Sequence, residues 1–157
     1  MKSHILLLRA KNNQGVLAKI TNLIRRRGFN IEGLTAGHTE QKGISHVSVA
    51  FSGESNFNAE QAKKQLSKII EIISVKSVEK EISIREIALL KIHCSEKNKA
   101  AIFDALKIFE GKIVAVGKKS VVCEVTGTPR RIDDFYELVK NFGIKEFVRS
   151  SVIGVQN

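Results

Sequence analysis

The chain of 157 residues has no tryptophan, one proline, one tyrosine and two cysteines. Cys94 and Cys123 are far apart and form no Cys-x-x-Cys pair, so they give little support to a disulfide framework or a cysteine zinc site. We interpret both as small buried hydrophobic residues of a cytoplasmic protein. No apolar run approaches the about 18–20 residues that a membrane-spanning helix needs, which argues against a membrane partner. The opening MKSHILLLRA predicts a first strand rather than a secretory signal.

Positive charge is in excess, with 26 basic and 16 acidic side chains and a net charge of +10. Residues 1–85 carry 14 basic and 7 acidic side chains, and Arg25-Arg26-Arg27 is a short basic cluster among them. No stretch combines basic and aromatic residues in the way that RNA-binding sheets do. We therefore expect no nucleic-acid partner and attribute the charge to solubility or to an acidic protein partner.

Hydrophobic periodicity in the first half predicts the order strand, helix, strand, strand, helix, strand. The predicted strands are 5–8, 30–38, 47–51 and 75–84. A helical apolar face begins at Val16 and ends before Gly28, which is a typical stop residue. The second predicted helix starts at a capping box formed by Asn58 and Gln61. Its apolar face consists of Ala62, Leu66, Ile69, Ile70 and Ile73.

The same order recurs in the second half. Strands are predicted at 86–94, 113–116, 121–125 and 144–148. Ser95 is predicted to cap one helix, and Thr128-Pro129 to begin the other. Two βαββαβ patterns predict an α+β protein made of two tandem ferredoxin-like sandwiches, with domains 1–85 and 86–157. Each sheet has a second face to cover, so we expect docking or dimerisation through the sheets.

Motifs for catalysis are absent from the sequence, which contains no G-x-S-x-G, phosphate-binding lysine loop, G-x-G-x-x-G or H-E-x-x-H. We interpret Asp133-Asp134 as acidic residues near a helix start that interact with the helix dipole, rather than as an acid–base pair. His4 and His46 lie on strands predicted to be neighbours. Because two histidines without a third ligand seldom bind a metal, we expect neither a metal site nor catalytic residues.

The loop Asn12-Asn13-Gln14-Gly15 leads from the first predicted strand into the first helix. The N–H groups of a first helical turn have no partner inside the helix, and together with the helix dipole they attract a carboxylate. Gly15 allows close approach of a ligand to the backbone, and Asn12 offers both a donor and an acceptor to an amino acid. The alternative is that these residues cap the helix and bind nothing.

The stretch NNQGVLAKITNLIRRRGFNIEGLT (12–35) resembles ACT domains, and above all those of the regulatory (small) subunits of acetolactate synthase, also called acetohydroxyacid synthase. That family has Asn-x-x-Gly-(Val/Ala)-Leu followed by Arg-Gly-(Phe/Tyr)-Asn-Ile-Glu-x-Leu. Four segments of the second half also resemble it: REIALLKI (85–92), IFEGKIVAV (108–116), VTGTPRRIDDF (125–135) and RSSVIGV (149–155). Lys11, Gln14 and His38 depart from the family pattern, in which an acidic residue and two prolines are common.

The resemblance implies a cytoplasmic, non-catalytic subunit that binds a larger catalytic subunit, raises its activity and confers feedback inhibition by a branched-chain amino acid, valine. The chain lacks the Gly-Asp-Gly of the family's diphosphate-binding motif. Thiamine diphosphate, magnesium and FAD are therefore expected in the large subunit, and no cofactor in this chain. A homodimer through the ACT domains is implied, with effector-binding residues Asn12, Gly15, Val16, Leu17 and Ala18 from one copy and Asn30 and Ile31 from its neighbour.

Two other functions remain open on the sequence. One is a stand-alone ACT-type regulator of transcription or of another nucleic acid, which would require a DNA-binding element beyond the two ferredoxin-like patterns. The other is a metal-sensing ACT protein, for which His4 and His46 are the candidate ligands.

Overall fold

A computed structural model describes residues 3–52, 59–78 and 82–156 of the chain. The chain divides into two compact units. The first comprises the described residues within 1–83 and 151–157, and the second is Ile84–Ser150. The elements of the first half are β1 (Ser3–Lys11), α1 (Val16–Arg26), β2 (Asn30–His38), β3 (Ile44–Ser52), α2 (Ala59–Leu66) and β4 (Ile72–Ser77). Those of the second half are β5 (Ile82–His93), α3 (Lys99–Ile108), β6 (Lys112–Gly117), β7 (Ser120–Gly127), α4 (Pro129–Val139), a 3-10 turn (Lys140–Phe142), β8 (Ile144–Arg149) and β9 (Ile153–Gln156).

The first unit is an antiparallel sheet with strand order β2-β3-β1-β4 and helices on one face. Alternate residues of the central strands, such as Leu6 and Leu8 in β1 and Val49 in β3, point into the core. Ile20 and Ile24 of α1 are buried against them because residues four apart share one side of a helix. This arrangement confirms the predicted ferredoxin-like sandwich.

The opposite face of this sheet is also buried in part. Leu7 and Ser48 are among the buried residues, and the Ser48 hydroxyl donates a hydrogen bond to the carbonyl oxygen of Val152. A Cβ atom at Gly33 would lie 2.6 Å from Oγ of Ser151. The last residues of the chain thus cover part of this face, and Gly33 lets them approach the strand closely. The short strand β9 in this segment was not predicted.

The second unit repeats the architecture with strand order β6-β7-β5-β8. Its core is built from Leu90 and Ile92 of β5, Cys123 of β7, and side chains of α3 and α4. Thr128 caps α4 as predicted, because its hydroxyl accepts a hydrogen bond from the Arg131 N–H at 3.3 Å. Cys123 is fully buried, and this burial, with a smaller effect of Cys94, raises the pKa of its thiol to about 11.

Helix α2, strand β4 and the start of α3 differ from the prediction. Helix α2 ends at Leu66, and Ile73 belongs to β4, which runs from Ile72 to Ser77 instead of 75–84. Asn98, not Ser95, occupies the N-cap position of α3, although its side chain makes no capping hydrogen bond; its Oδ1 accepts from the Ser95 N–H at 2.8 Å. The capping box predicted for α2 cannot be compared, because Asn58 lies outside the described residues.

The interpretation of Asp133-Asp134 as partners of a helix dipole is also wrong. The first turn of α4 contains no acidic residue, and Asp133 lies one turn further on. Its Oδ1 is 2.6 Å from Nη1 of Arg149 in β8, while Asp134 pairs with Arg130 at 4.0 Å. Nε of Arg149 also donates to Oε2 of Glu86, a buried carboxylate at 2.5 Å. Asp133 therefore belongs to an ion-pair network that connects α4, β8 and β5.

Candidate functional site

The loop between β1 and α1 is held by hydrogen bonds to two neighbouring turns. The Lys11 N–H donates to the carbonyl oxygen of Glu71 at 2.8 Å, and the Asn12 N–H donates to that of Gly43 at 2.8 Å. The loop is therefore anchored on both sides before it enters α1, which fixes the position of the first helical turn.

Gly15 is the residue at which this loop becomes a helix. Its φ is +81° and its ψ is −4°, a left-handed conformation that glycine adopts without strain. No side chain caps α1, and its first turn contains no acidic residue. Gly15 itself occupies the N-cap position, and neither Asn12 nor Asn13 caps the helix with its side chain. The Val16 N–H donates to the carbonyl oxygen of Asn13 at 3.4 Å, so the N–H groups of Leu17 and Ala18 are the ones that remain available to an external acceptor.

A cavity of about 480 Å³ opens at this helix start. Five of the seven predicted effector-binding residues line it: Asn12, Gly15, Val16, Leu17 and Ala18. A Cβ atom built on Gly15 would meet no heavy atom within 4 Å, so the backbone is open at this point. The structure thus brings together the polar loop, the uncapped helix start and apolar side chains in one cavity.

The opposite wall of the cavity comes from the end of β2. Ala36, Gly37 and His38 line it, and Ser45 and Val47 of β3 contribute beside them. Sequence reasoning missed this wall, although it noted His38 as a departure from the family pattern. The register of β2 on β3, in which Ala36 lies opposite Val47, brings these residues to the helix start.

Asn30 and Ile31, the other two predicted effector-binding residues, do not line this cavity in the single chain. They lie at the beginning of β2, which is the edge strand of the first sheet. Asn30 is exposed and Ile31 is half-buried.

The electrostatics of the cavity favour an anion. Lys11 lines it, and none of its described lining residues is acidic. Glu71, whose carbonyl anchors the loop, is paired through its carboxylate with Lys19. That hydrogen bond is the main reason why the pKa of Glu71 is lowered. The positive end of the α1 dipole adds to the attraction for a carboxylate.

The two histidines considered as metal ligands are not neighbours. His4 lies opposite Phe51 in the sheet and stacks near its ring, whereas His46 lies opposite Arg9. Partial burial, together with the charge of Arg9, lowers the pKa of His46. No group of three or more histidine, cysteine or acidic residues suited to a metal occurs within 3–52, 59–78 and 82–156. The metal-sensing alternative therefore loses its candidate ligands.

In the described part of the chain, no helix is long and apolar enough to cross a bilayer.

Two family models match the chain in the order of its two units. The model described as the small-subunit-like ACT domain of acetohydroxyacid synthase matches residues 6–74. The model described as the small subunit of acetolactate synthase matches residues 85–157. The fold, the loop-to-helix cavity and these matches define a two-domain α+β protein that begins with an ACT domain.

Similar proteins align with this chain over nearly its whole length. The acetolactate synthase small subunit of Mycolicibacterium smegmatis is 36% identical over 154 residues, covering 98% of this chain and 90% of that protein. The small subunit of Bacillus subtilis is 35% identical, covering 93% and 86%. The crystal structure of the Thermotoga maritima small subunit matches with a TM-score of 0.85 at 29% identity, covering 100% and 98%. The chain belongs to the acetolactate synthase small-subunit family.

Proposed function

We propose that this chain activates the catalytic large subunit of acetolactate synthase and makes it sensitive to feedback by valine. The observation that carries the proposal is the uncapped start of α1 at Gly15, which opens into a cavity with apolar walls. In this proposal the large subunit performs the chemistry and holds thiamine diphosphate, magnesium and FAD. The small subunit contributes an effector site and a surface that binds the large subunit.

The chemistry of the cavity suits an aliphatic amino acid. The free backbone N–H groups at the start of α1 donate hydrogen bonds to its carboxylate, helped by the helix dipole. The side-chain carbonyl oxygen of Asn12 accepts a hydrogen bond from its ammonium group. Val16, Leu17 and Ala36 provide apolar surface for a branched side chain.

Pairing of two β2 strands explains how Asn30 and Ile31 reach the site. An edge strand presents unpaired N–H and C=O groups that a second copy can pair with. A two-fold antiparallel pairing centred near Leu34 sets Asn30 of the partner subunit opposite His38, and Ile31 of the partner subunit opposite Gly37. Since His38 and Gly37 line the cavity, the partner completes it at its open side.

Feedback then follows from the shared site. An effector that contacts two chains stabilises one arrangement of the dimer relative to the others, with a coupling free energy of about 1–3 kcal/mol. Valine inhibits when the arrangement that it stabilises binds the large subunit less well, or activates it less.

Replacing Asn30 by alanine tests the shared site. We expect the wild-type chain to be a dimer, and Asn30→Ala to weaken valine binding by about tenfold, because a hydrogen bond to a charged group is lost. Light scattering measures the assembly, and calorimetry measures valine binding to the chain alone. Asn141→Ala changes an exposed asparagine of the second unit and should leave valine binding unchanged. A strict monomer at micromolar concentration, with and without valine, contradicts the proposal, as does equal valine affinity in the two variants.

A further inference from the structure

A second groove of the first unit lies away from the effector cavity and shares no lining residue with it. It runs between α1 and the α2–β4 connection and has a volume of about 560 Å³. Leu23, Ile69 and Ile70 give it apolar surface, and Lys19, Arg26 and Arg27 lie around it. We call this feature the arginine groove.

Ile70 is the exposed apolar residue of the arginine groove. Its exposure of 88% is the highest among the large hydrophobic side chains in the described ranges. A single exposed isoleucine is common on protein surfaces and needs no explanation by itself. Here it lines the same concave site as Leu23 and the half-buried Ile69, so the three together give the groove its apolar surface.

The rim of the groove is positively charged. Arg26, the last residue of α1, and Arg27, its C-cap residue, line the groove, and Arg25 directly precedes them in the helix. None of these three arginines has an acidic partner within the described part of the chain, whereas Lys19 is paired with Glu71. The negative end of the α1 dipole favours their charge but leaves their guanidinium groups free for bidentate contacts with carboxylates.

We propose that the arginine groove docks an acidic segment of the catalytic large subunit, in which an apolar side chain is flanked by carboxylates. This inference rests on the proposed function and identifies the surface of this chain that binds the large subunit. An apolar anchor in a pocket, surrounded by arginine contacts, is the composition of binding hot spots between proteins. A nucleic acid would use the arginines but not the isoleucine, and the groove offers no aromatic ring for a base to stack on.

Helix α1 connects this groove with the effector cavity. Its first residues, Val16 and Leu17, line the cavity, and Leu23 and Arg26 line the groove. The helix has 11 residues and is therefore about 16 Å long. A displacement of α1 by the effector changes the groove directly, which gives feedback a route to the large subunit.

Neutral substitutions in the groove test the docking. Arg26→Gln/Arg27→Gln removes two charges, and Ile70→Ser removes the apolar anchor without adding charge. The matched controls are Lys118→Gln/Lys119→Gln, at an exposed turn of the second unit, and Val116→Ser, which removes a side chain that is 79% exposed. Binding of the purified full-length chain to its cognate large subunit is measured by calorimetry at low and at physiological salt. Thermal melting checks the folding of each variant.

We expect the arginine variant to bind the large subunit at least about tenfold more weakly at low salt, with a smaller difference at physiological salt. Ile70→Ser is expected to weaken binding about fivefold at both salt concentrations. Valine binding to the chain alone should stay unchanged in both, which separates docking from the effector site. Wild-type affinity in the groove variants, or equal losses in the controls, overturns the docking site while the proposed function stands.

Two further results would also overturn the proposed docking site. If the wild-type chain does not bind the large subunit at all, the proposed function fails together with the docking site. If the wild-type chain retards DNA at low salt, and only the arginine variant loses that property while all variants bind the large subunit equally, the groove belongs to a nucleic acid and the proposal is overturned.

Discussion

Gly15→Asp is expected to abolish feedback by valine while leaving activation of the large subunit largely intact. The aspartate places its charge at the helix start, where the carboxylate of the effector is proposed to bind. Two like charges about 4 Å apart repel by about 4 kcal/mol at an effective dielectric constant of about 20. We therefore expect the valine concentration for half-inhibition to rise at least about 100-fold. The measurement is acetolactate formation by the reconstituted enzyme across a valine titration.

Backbone strain is the competing explanation for such a result, and two variants separate it from charge. Gly15 has φ +81°, so any side chain there costs about 1 kcal/mol. Gly15→Asn has the same strain and nearly the same size without the charge, and should retain weakened feedback. Gly28→Asn introduces similar strain at φ +78°, with no heavy atom within 4 Å of the new Cβ, and should behave like wild type. An unchanged inhibition curve for folded Gly15→Asp means that the effector binds elsewhere.

Arg149→Met should lower the free energy of unfolding by about 3 kcal/mol, because it leaves the buried carboxylate of Glu86 without its charged partner. The side chain of Glu86 is only 9% exposed and that of Arg149 is 28% exposed, so solvent screens this pair little. The second partner, Asp133, loses its contact as well. Urea denaturation followed by circular dichroism measures the change.

Arg130→Met is the matched control for this prediction. Arg130 also pairs with an aspartate on α4, but its side chain is 92% exposed and the distance to Asp134 is 4.0 Å. Its loss should cost less than about 0.5 kcal/mol. In the double variant Glu86→Gln/Arg149→Met, part of the lost stability should return, since no buried charge is left unpaired. Equal stabilities of Arg149→Met and Arg130→Met contradict the role assigned to the network.

Much of the fold could be predicted because the hydrophobic periodicity and the residues that end helices agree along the chain. The bounds of β2, Asn30–His38, match the prediction, since Gly28 ends α1 just before it. The apolar pattern predicts too long a second helix, because Ile69, Ile70 and Ile73 continue a helical spacing. In the structure Ile69 lies in a turn and packs against the core, which apolar spacing alone does not distinguish from a further helical turn.

The candidate site was predictable where it is local in sequence and missed where it depends on distant elements. Asn12 to Ala18 form one continuous segment. The sequence pattern of a polar loop that leads into a helix at a glycine was therefore enough to predict the site residues within it. Ala36 and Gly37 carry no functional group that would mark them as binding residues in the sequence. Only the sheet register brings them to the helix start. Asp133 was misinterpreted for the same reason, since Arg149 lies 16 residues away in β8.

Lys11 and His38, which depart from the sequence pattern of the family, lie close together in the structure of the first unit. Both residues line the cavity at the start of α1, so they belong to the surface that the proposed effector would contact. A lysine at this position adds positive charge near the proposed carboxylate site and favours an anionic effector group.

The most direct test of the regulatory role is the rate of acetolactate formation from pyruvate by the purified large subunit, as this chain is added and valine is then titrated in. We predict no product from the chain alone, a rise in rate that saturates as the chain is added, and a fall in rate with valine. Turnover by the chain in a preparation free of the large subunit, or an unchanged rate when the chain is added in excess, would contradict the account.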